Sequence, residues 1–259
     1  LIPDVVGEGG AYKAAATLTN TTLQLAVVGG FAIGGVATSA LGAHVTVLID
    51  AFTFGASAVT VAVFVQQRPP ALQTRTSWRG EIAAGATIVF RSPRLRRLVT
   101  MSWLVVGVAI ATEAAAIPYA HTHGGGSTTA GLLTAALPLG AGVGALLLSK
   151  IESDDLAERW LSPLSCGTPI TLAFTYLNPR PVLAGALWFA AGAFSATTIV
   201  ANRLFVATVP RDVRARAFGI AAAGVAGAQG VGTLAVGTLS AQILPAHAVG
   251  ALSIATAAA

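Results

Sequence analysis

Of 259 residues, 54% are hydrophobic and only 10% are charged, with a mean hydropathy of +0.75; soluble domains carry roughly 25% charged residues, so the composition indicates an integral membrane protein. The formal net charge of +5 would suggest nucleic acid in a soluble chain, but the basic residues sit in the gaps between apolar runs, which argues against a nucleic-acid partner. The lone Cys166 lies inside an apolar run, which excludes an internal disulfide framework and a cysteine-based metal site.

About twenty apolar residues are needed to cross a bilayer core of about 30 Å. On that ruler the sequence predicts seven complete spans, at 14–41, 43–65, 98–119, 128–149, 160–177, 182–203 and 215–243, and the start of an eighth at 246–259. No signal peptide is expected before the first span, and the chain reads as the later part of something longer. Arginine outnumbers lysine and Ala, Gly and Val are abundant, which hints at a GC-rich bacterial source.

Between the second and third spans lies a basic block, with Arg68, Arg75, Arg79, Arg91, Arg94, Arg96 and Arg97 against the single acid Glu81. Such blocks stay in the cytoplasm. Assigning alternate connections to alternate sides puts every Lys and Arg on the side of this block except Arg180. That split supports the topology and places the N-terminus of this chain in the cytoplasm. Within the block, Ser77 is a helix cap, and Trp78, Ile82, Val89 and Phe90 recur at helical spacing, bounded by Pro69 and Pro70 before and Pro93 after. An amphipathic helix lying along the cytoplasmic interface is expected. It would serve as a tether between two bundles or, in a second reading, as a sensor of lipid.

A faint internal repeat links the first and seventh spans. Ile2-Pro3, Tyr12, Ala14 to Ala16, Gln24 and the glycines from Gly29 to Gly35 are echoed by Val209-Pro210, Phe218, Ala221 to Ala223, Gln229 and the glycines from Gly230 to Gly237. Six spans separate the copies, so they share one orientation, as in carriers built from two parallel six-helix halves.

These residues resemble the major facilitator superfamily, in particular exporters similar to the enterobactin and macrolide efflux proteins. The run from Leu1 to Val6 with Ala14 to Ala16 and Asn20 looks like the approach to the family's fifth helix, and Leu48 to Phe54 is similar to its sixth. The stretch from Val209 to Ile220 looks like the connection between its helices ten and eleven, and is the most specific of the three. The resemblance implies an all-α, partial major facilitator bundle lacking helices one to four: residues 1–66 form the last two helices of the first half, 67–97 a cytoplasmic linker, and 98–259 the second half with its last helix incomplete. Two departures stand out. Gly30-Phe31-Ala32-Ile33-Gly34-Gly35 has phenylalanine where the exporters often carry a kinking proline, and Glu152, Asp154, Asp155 and Glu158 make acidic a loop that is usually basic.

Two carboxylates fall within spans. Asp50 and Glu113 both lie roughly 10 Å below the outer surface at about 1.5 Å per residue. An ionised carboxylate is costly there, which favours proton relay or binding of a cationic substrate; the alternative is a hydrogen-bonded structural acid at the outer mouth. Asn20, Thr21, Gln24 and Gln229 are neutral polar groups in apolar helices, suited to lining a substrate pathway or to bonding between helices. Gly30 with Gly34, and Gly140 with Gly144, set small residues on one helix face, where close packing or sliding is expected. Gly35 and the connection residues Arg211, Asp212, Arg214 and Arg216 complete the set of conformational candidates. His121 and His123 in an outer loop lack a third ligand, and a solvated turn is expected rather than a metal site. No catalytic pattern or phosphate-binding loop is present in the sequence, so neither an enzyme nor a cofactor is expected. The leading expectation is a proton-coupled multi-pass carrier in a bacterial cell membrane, moving a hydrophobic or amphiphilic small molecule outward. Its rival is a truncated membrane protein that only inserts or associates with partners.

Overall fold

Apolar runs broken by glycine and proline become helices almost end to end. The computed structural model describes residues 10–64, 78–149, 153–210 and 213–258. In chain order the helices are α1 (Gly10–Leu41), α2 (Ala43–Phe64), α3 (Trp78–Arg91), α4 (Pro93–Thr122), α5 (Ser127–Leu148), α6 (Asp154–Ala173) with a 3-10 turn at Phe174–Leu177, α7 (Pro181–Ser195), α8 (Thr197–Thr208), α9 (Arg214–Ser240) and α10 (Pro245–Ala257). No strand occurs among the described residues. The chain is an all-α membrane protein, and among the described residues five segments are long and apolar enough to cross a bilayer: Ala43–Phe64, Pro93–Thr122, Ser127–Leu148, Pro181–Thr208 and Arg214–Ser240.

Two expected spans are helical without joining those five. In α1 the described apolar stretch is Gly29–Leu41, most side chains before it lying outside the described residues. In α6 the first turns carry Asp154, Asp155, Glu158 and Arg159, and the helix tightens into a 3-10 turn at its far end.

The expected span 182–203 is bent. Ile199 N–H bonds to the Ala196 carbonyl, one residue short of α-helical spacing. Ser195, Thr197 and Thr198 each donate a hydroxyl to the carbonyl three residues earlier, at 2.7 to 2.8 Å. Such back-bonding competes with the helical ladder and bends it. The break at Ala196 separates α7 from α8, and both pack on α4.

Helix α4 runs through the middle, packing on α3 and on α5 to α10. Two apolar clusters fill the bundle. One gathers Tyr119, Leu172, Trp188, Val236 and Val249 at the Arg180 end, where the Tyr119 hydroxyl donates to the Pro179 carbonyl at 2.5 Å. The other joins Val89, Leu98, Val99, Leu204, Phe205 and Val209 at the basic end. Glycines set the helix separations: a Cβ added at Gly140 or Gly144 of α5 would fall on the Phe189 or Ala193 carbonyl of α7, and one at Gly192 of α7 on the Leu137 carbonyl. Backbones meet where side chains are absent, the packing that lipid-embedded helices favour.

Helix α3 does more than bridge. Val89 is fully buried, and a Cβ at Gly85 would come within 2.7 Å of the Arg216 carbonyl on α9. Ile82 and Phe90, which the helical spacing grouped with Val89, remain substantially exposed. The apolar stripe is therefore split between a docked face and an outer one.

Candidate functional site

A cavity of about 440 Å³ opens between α4, α8 and α9. Helix α4 supplies Ser102 and Trp103, α8 supplies Thr198, Asn202 and Phe205, and α9 supplies Phe218, Val225 and Gln229. The bend at Ala196 brings Thr198 and Asn202, one turn apart, to the wall. Phe205 and Phe218 meet edge to face at 5.2 Å and close the end nearer the basic loops. Among the described residues no Asp, Glu, Lys or Arg lines the cavity, and its volume falls in the usual range of small-molecule sites, about 300–1,000 Å³.

Polar groups in this wall divide into two kinds. Ser102 and Thr198 donate to carbonyls of their own helices, and Trp103 Nε1–H donates across to the Ala221 carbonyl at 3.0 Å. Asn202 and Gln229 have no hydrogen-bond partner among the described residues. Two free amides facing an apolar, aromatic space offer both donors and acceptors to a ligand.

Of the residues singled out in the sequence, Gln229 is the one in this wall. Asn20, Thr21 and Gln24 belong to α1, and their side chains lie outside the described residues. Glu113 is half-buried on α4, and Asp50 is exposed on α2, a helix with no buried residue. Among the described residues the helices carrying these two acids share no extensive contact. Asn202 was missed beside Arg203, although the criterion that selected Gln229, a neutral polar side chain inside an apolar span, applies to it equally.

The glycines of α1 also separate. A Cβ at Gly30 or Gly34 would meet open space, whereas one at Gly35 would lie 2.8 Å from the Ser127 carbonyl and 2.9 Å from Gly131 Cα of α5. Beside this crossing Thr128 donates to the Ser39 hydroxyl at 2.9 Å. The seam sits at the end of the bundle opposite the basic loops.

At the basic end, Arg214 Nη2 donates to the carbonyls of Val206 and Val209, at 3.1 and 3.2 Å. A cation thus caps the C-terminal turn of α8, satisfying carbonyls that the helix leaves unpaired. Arg216 is exposed, and its carbonyl is the surface on which Gly85 rests. Arg211 and Asp212 lie outside the described residues. The acidic start of α6 has a local partner: Glu158 pairs with Arg94 at 2.6 Å, while the Ser153 hydroxyl caps the helix by accepting from Leu156 N–H. In the opposite loop, His123 stacks on Tyr119 with centroids 4.7 Å apart.

A helical bundle of apolar spans around an uncharged cavity is the architecture of a carrier, and comparison with known families agrees. The family described as transmembrane secretion effector matches residues 1–259. The chain belongs to this family. It is thereby a multi-pass membrane protein of the major facilitator transporter type. No curated protein and no solved structure matched.

Proposed function

We propose that this chain is a proton-coupled carrier that moves a hydrophobic or amphiphilic small molecule out of a bacterial cell, with the basic end of the bundle in the cytoplasm. The observation that carries the reading is the cavity: aromatic faces from Trp103, Phe205 and Phe218, with the unpartnered amides of Asn202 and Gln229. Apolar walls take up the body of such a ligand, and a few fixed polar groups orient it. The lack of charge in the wall favours a substrate whose buried part is neutral. In this reading residues 1–66 belong to one half of the carrier, 67–97 form the linker and 98–259 the other half. The concentration of Lys and Arg at one end supports the orientation.

Glu113 is the proposed coupling acid, since it is half-buried in α4, the same helix that supplies Trp103 to the cavity. Asp50 is the second candidate. The α1–α5 seam at Gly35 and Gly131 is proposed as the outer closure, with Arg214 and Arg216 at the inner one. Asn20, Thr21 and Gln24 would extend the pathway along α1.

The test is outward transport of a neutral aromatic dye from membrane vesicles under an imposed pH gradient. Replacing both Asn202 and Gln229 by leucine is expected to lower dye affinity by roughly tenfold or more, the loss of about one net hydrogen bond for each amide. Glu113→Gln is expected to abolish pH-driven efflux while membrane insertion stays normal. Undiminished pH-driven efflux in Glu113→Gln would remove proton coupling through this residue, and undiminished affinity in the double variant would remove the cavity.

A further inference from the structure

Outside the cavity, the element that reaches its wall is the linker helix. We propose that Phe90 of α3 is a positioning residue for Trp103, so that the docking of the linker helix on α9 sets the shape of the cavity.

The Phe90 ring lies edge-on to Trp103, with centroids 6.1 Å apart and planes at 64°, within the range where the positive edge of one ring meets the negative face of another. Trp103 has few other directions in which to move. Its indole rests on Gly224 of α9, where an added Cβ would overlap the ring, and its Nε1–H is held by the Ala221 carbonyl one turn away at 3.0 Å. With α9 on one side and Phe90 on another, the indole's remaining freedom is toward the cavity that it lines.

The linker helix is itself fixed to α9. A Cβ at Gly85 would lie 2.7 Å from the Arg216 carbonyl and 3.0 Å from Ile220 Cγ1, and Val89 is fully buried in the same apolar cluster as Leu98 and Val99 of α4. Phe90, by contrast, is 41% exposed. Its removal does not hollow out the core, so its effect falls on the ring that it touches. Ile82, two turns earlier on the same helix, is 50% exposed and has no aromatic ring to offer Trp103, which makes it the natural control. The consequence for binding rests on the cavity reading above, whereas the position of Trp103 does not.

The experiment uses the full chain in lipid nanodiscs. Emission from Trp103 is isolated as the difference between the chain and its Trp103→Phe variant, made in each background, and its accessibility is read by acrylamide quenching. Binding of N-phenyl-1-naphthylamine, a neutral aromatic dye, is titrated in parallel. Phe90→Ala is expected to raise quenching of Trp103 and to weaken dye binding roughly threefold to tenfold, the range an edge-on aromatic pair supports. Phe90→Tyr should restore both values, Ile82→Ala should leave both at the parent level, and Gly85→Leu, which forces α3 off α9, should reproduce Phe90→Ala. Unchanged quenching of Trp103 in Phe90→Ala overturns the proposal. Dye binding that is indifferent to Trp103→Phe overturns the cavity reading instead, and the quenching comparison still decides the role of Phe90.

Discussion

Gly34 and Gly35 are adjacent in one helix, so replacing each by alanine isolates what the α1–α5 seam contributes. Alanine is favoured over glycine within a helix by about 1 kcal/mol, and both positions gain that term. They differ in space. At Gly34 the new methyl meets nothing within 4 Å. At Gly35 it lands 2.8 Å from the Ser127 carbonyl and 2.9 Å from Gly131 Cα, whereas carbon atoms rest at about 3.5–4.0 Å. Both close atoms are backbone, so no rotamer change relieves the overlap. The helices must separate by roughly 1 Å, and inserted methylenes in a closed contact cost about 1–3 kcal/mol. Gly34→Ala is therefore expected to stabilise the chain by up to about 1 kcal/mol, and Gly35→Ala to destabilise it by up to about 2 kcal/mol after the helix term is subtracted.

Thermal unfolding in detergent micelles gives the first measurement. A second follows from the 2.9 Å hydrogen bond between Thr128 and Ser39: with Cys166 replaced by serine, the pair Ser39→Cys and Thr128→Cys should cross-link readily under mild oxidation. Adding Gly35→Ala should slow that cross-linking, and adding Gly34→Ala should not. If both alanine variants shift stability and cross-linking alike, the backbone contact at Gly35 is not what holds α1 to α5.

The basic end yields two further expectations. Arg214→Ala removes two hydrogen bonds from a cation to the last turn of α8 and should lower stability by about 2–4 kcal/mol, with faster hydrogen exchange of amides near Thr208 as the local readout. Arg94→Ala breaks the ion pair with Glu158 at 2.6 Å, but both side chains are substantially exposed, so solvent screening should hold the loss below about 1 kcal/mol. A double-mutant cycle with Glu158→Ala checks that figure, and a coupling well above it would mean that the pair is shielded from water in the membrane-bound protein.

Comparison of these residues with the sequence indicates where physical reading stops. Helix positions were legible because hydropathy and the breaks at Gly42, Pro93 and Pro181 act locally: the expected span 43–65 became Ala43–Phe64, and 128–149 became Ser127–Leu148. The bend at Ala196 was not, although Ser195, Thr197 and Thr198 stood in the sequence, because hydroxyls in apolar helices back-bond without always breaking the ladder. Glycine spacing found the α5–α7 contact through Gly140 and Gly144, yet in α1 the open pair was Gly30 and Gly34 and the touching residue was Gly35. A four-residue spacing specifies a face without specifying which face meets a neighbour. The cavity needed three helices distant in sequence to converge, so Gln229 was visible only as an isolated polar residue and Asn202 was hidden beside Arg203. The same limit governed α3. Its amphipathic pattern predicts an interface, but only the approach of Gly85 to α9 distinguishes an interface with lipid from one with protein, and only that docking makes Phe90 a neighbour of Trp103 rather than one more exposed aromatic ring.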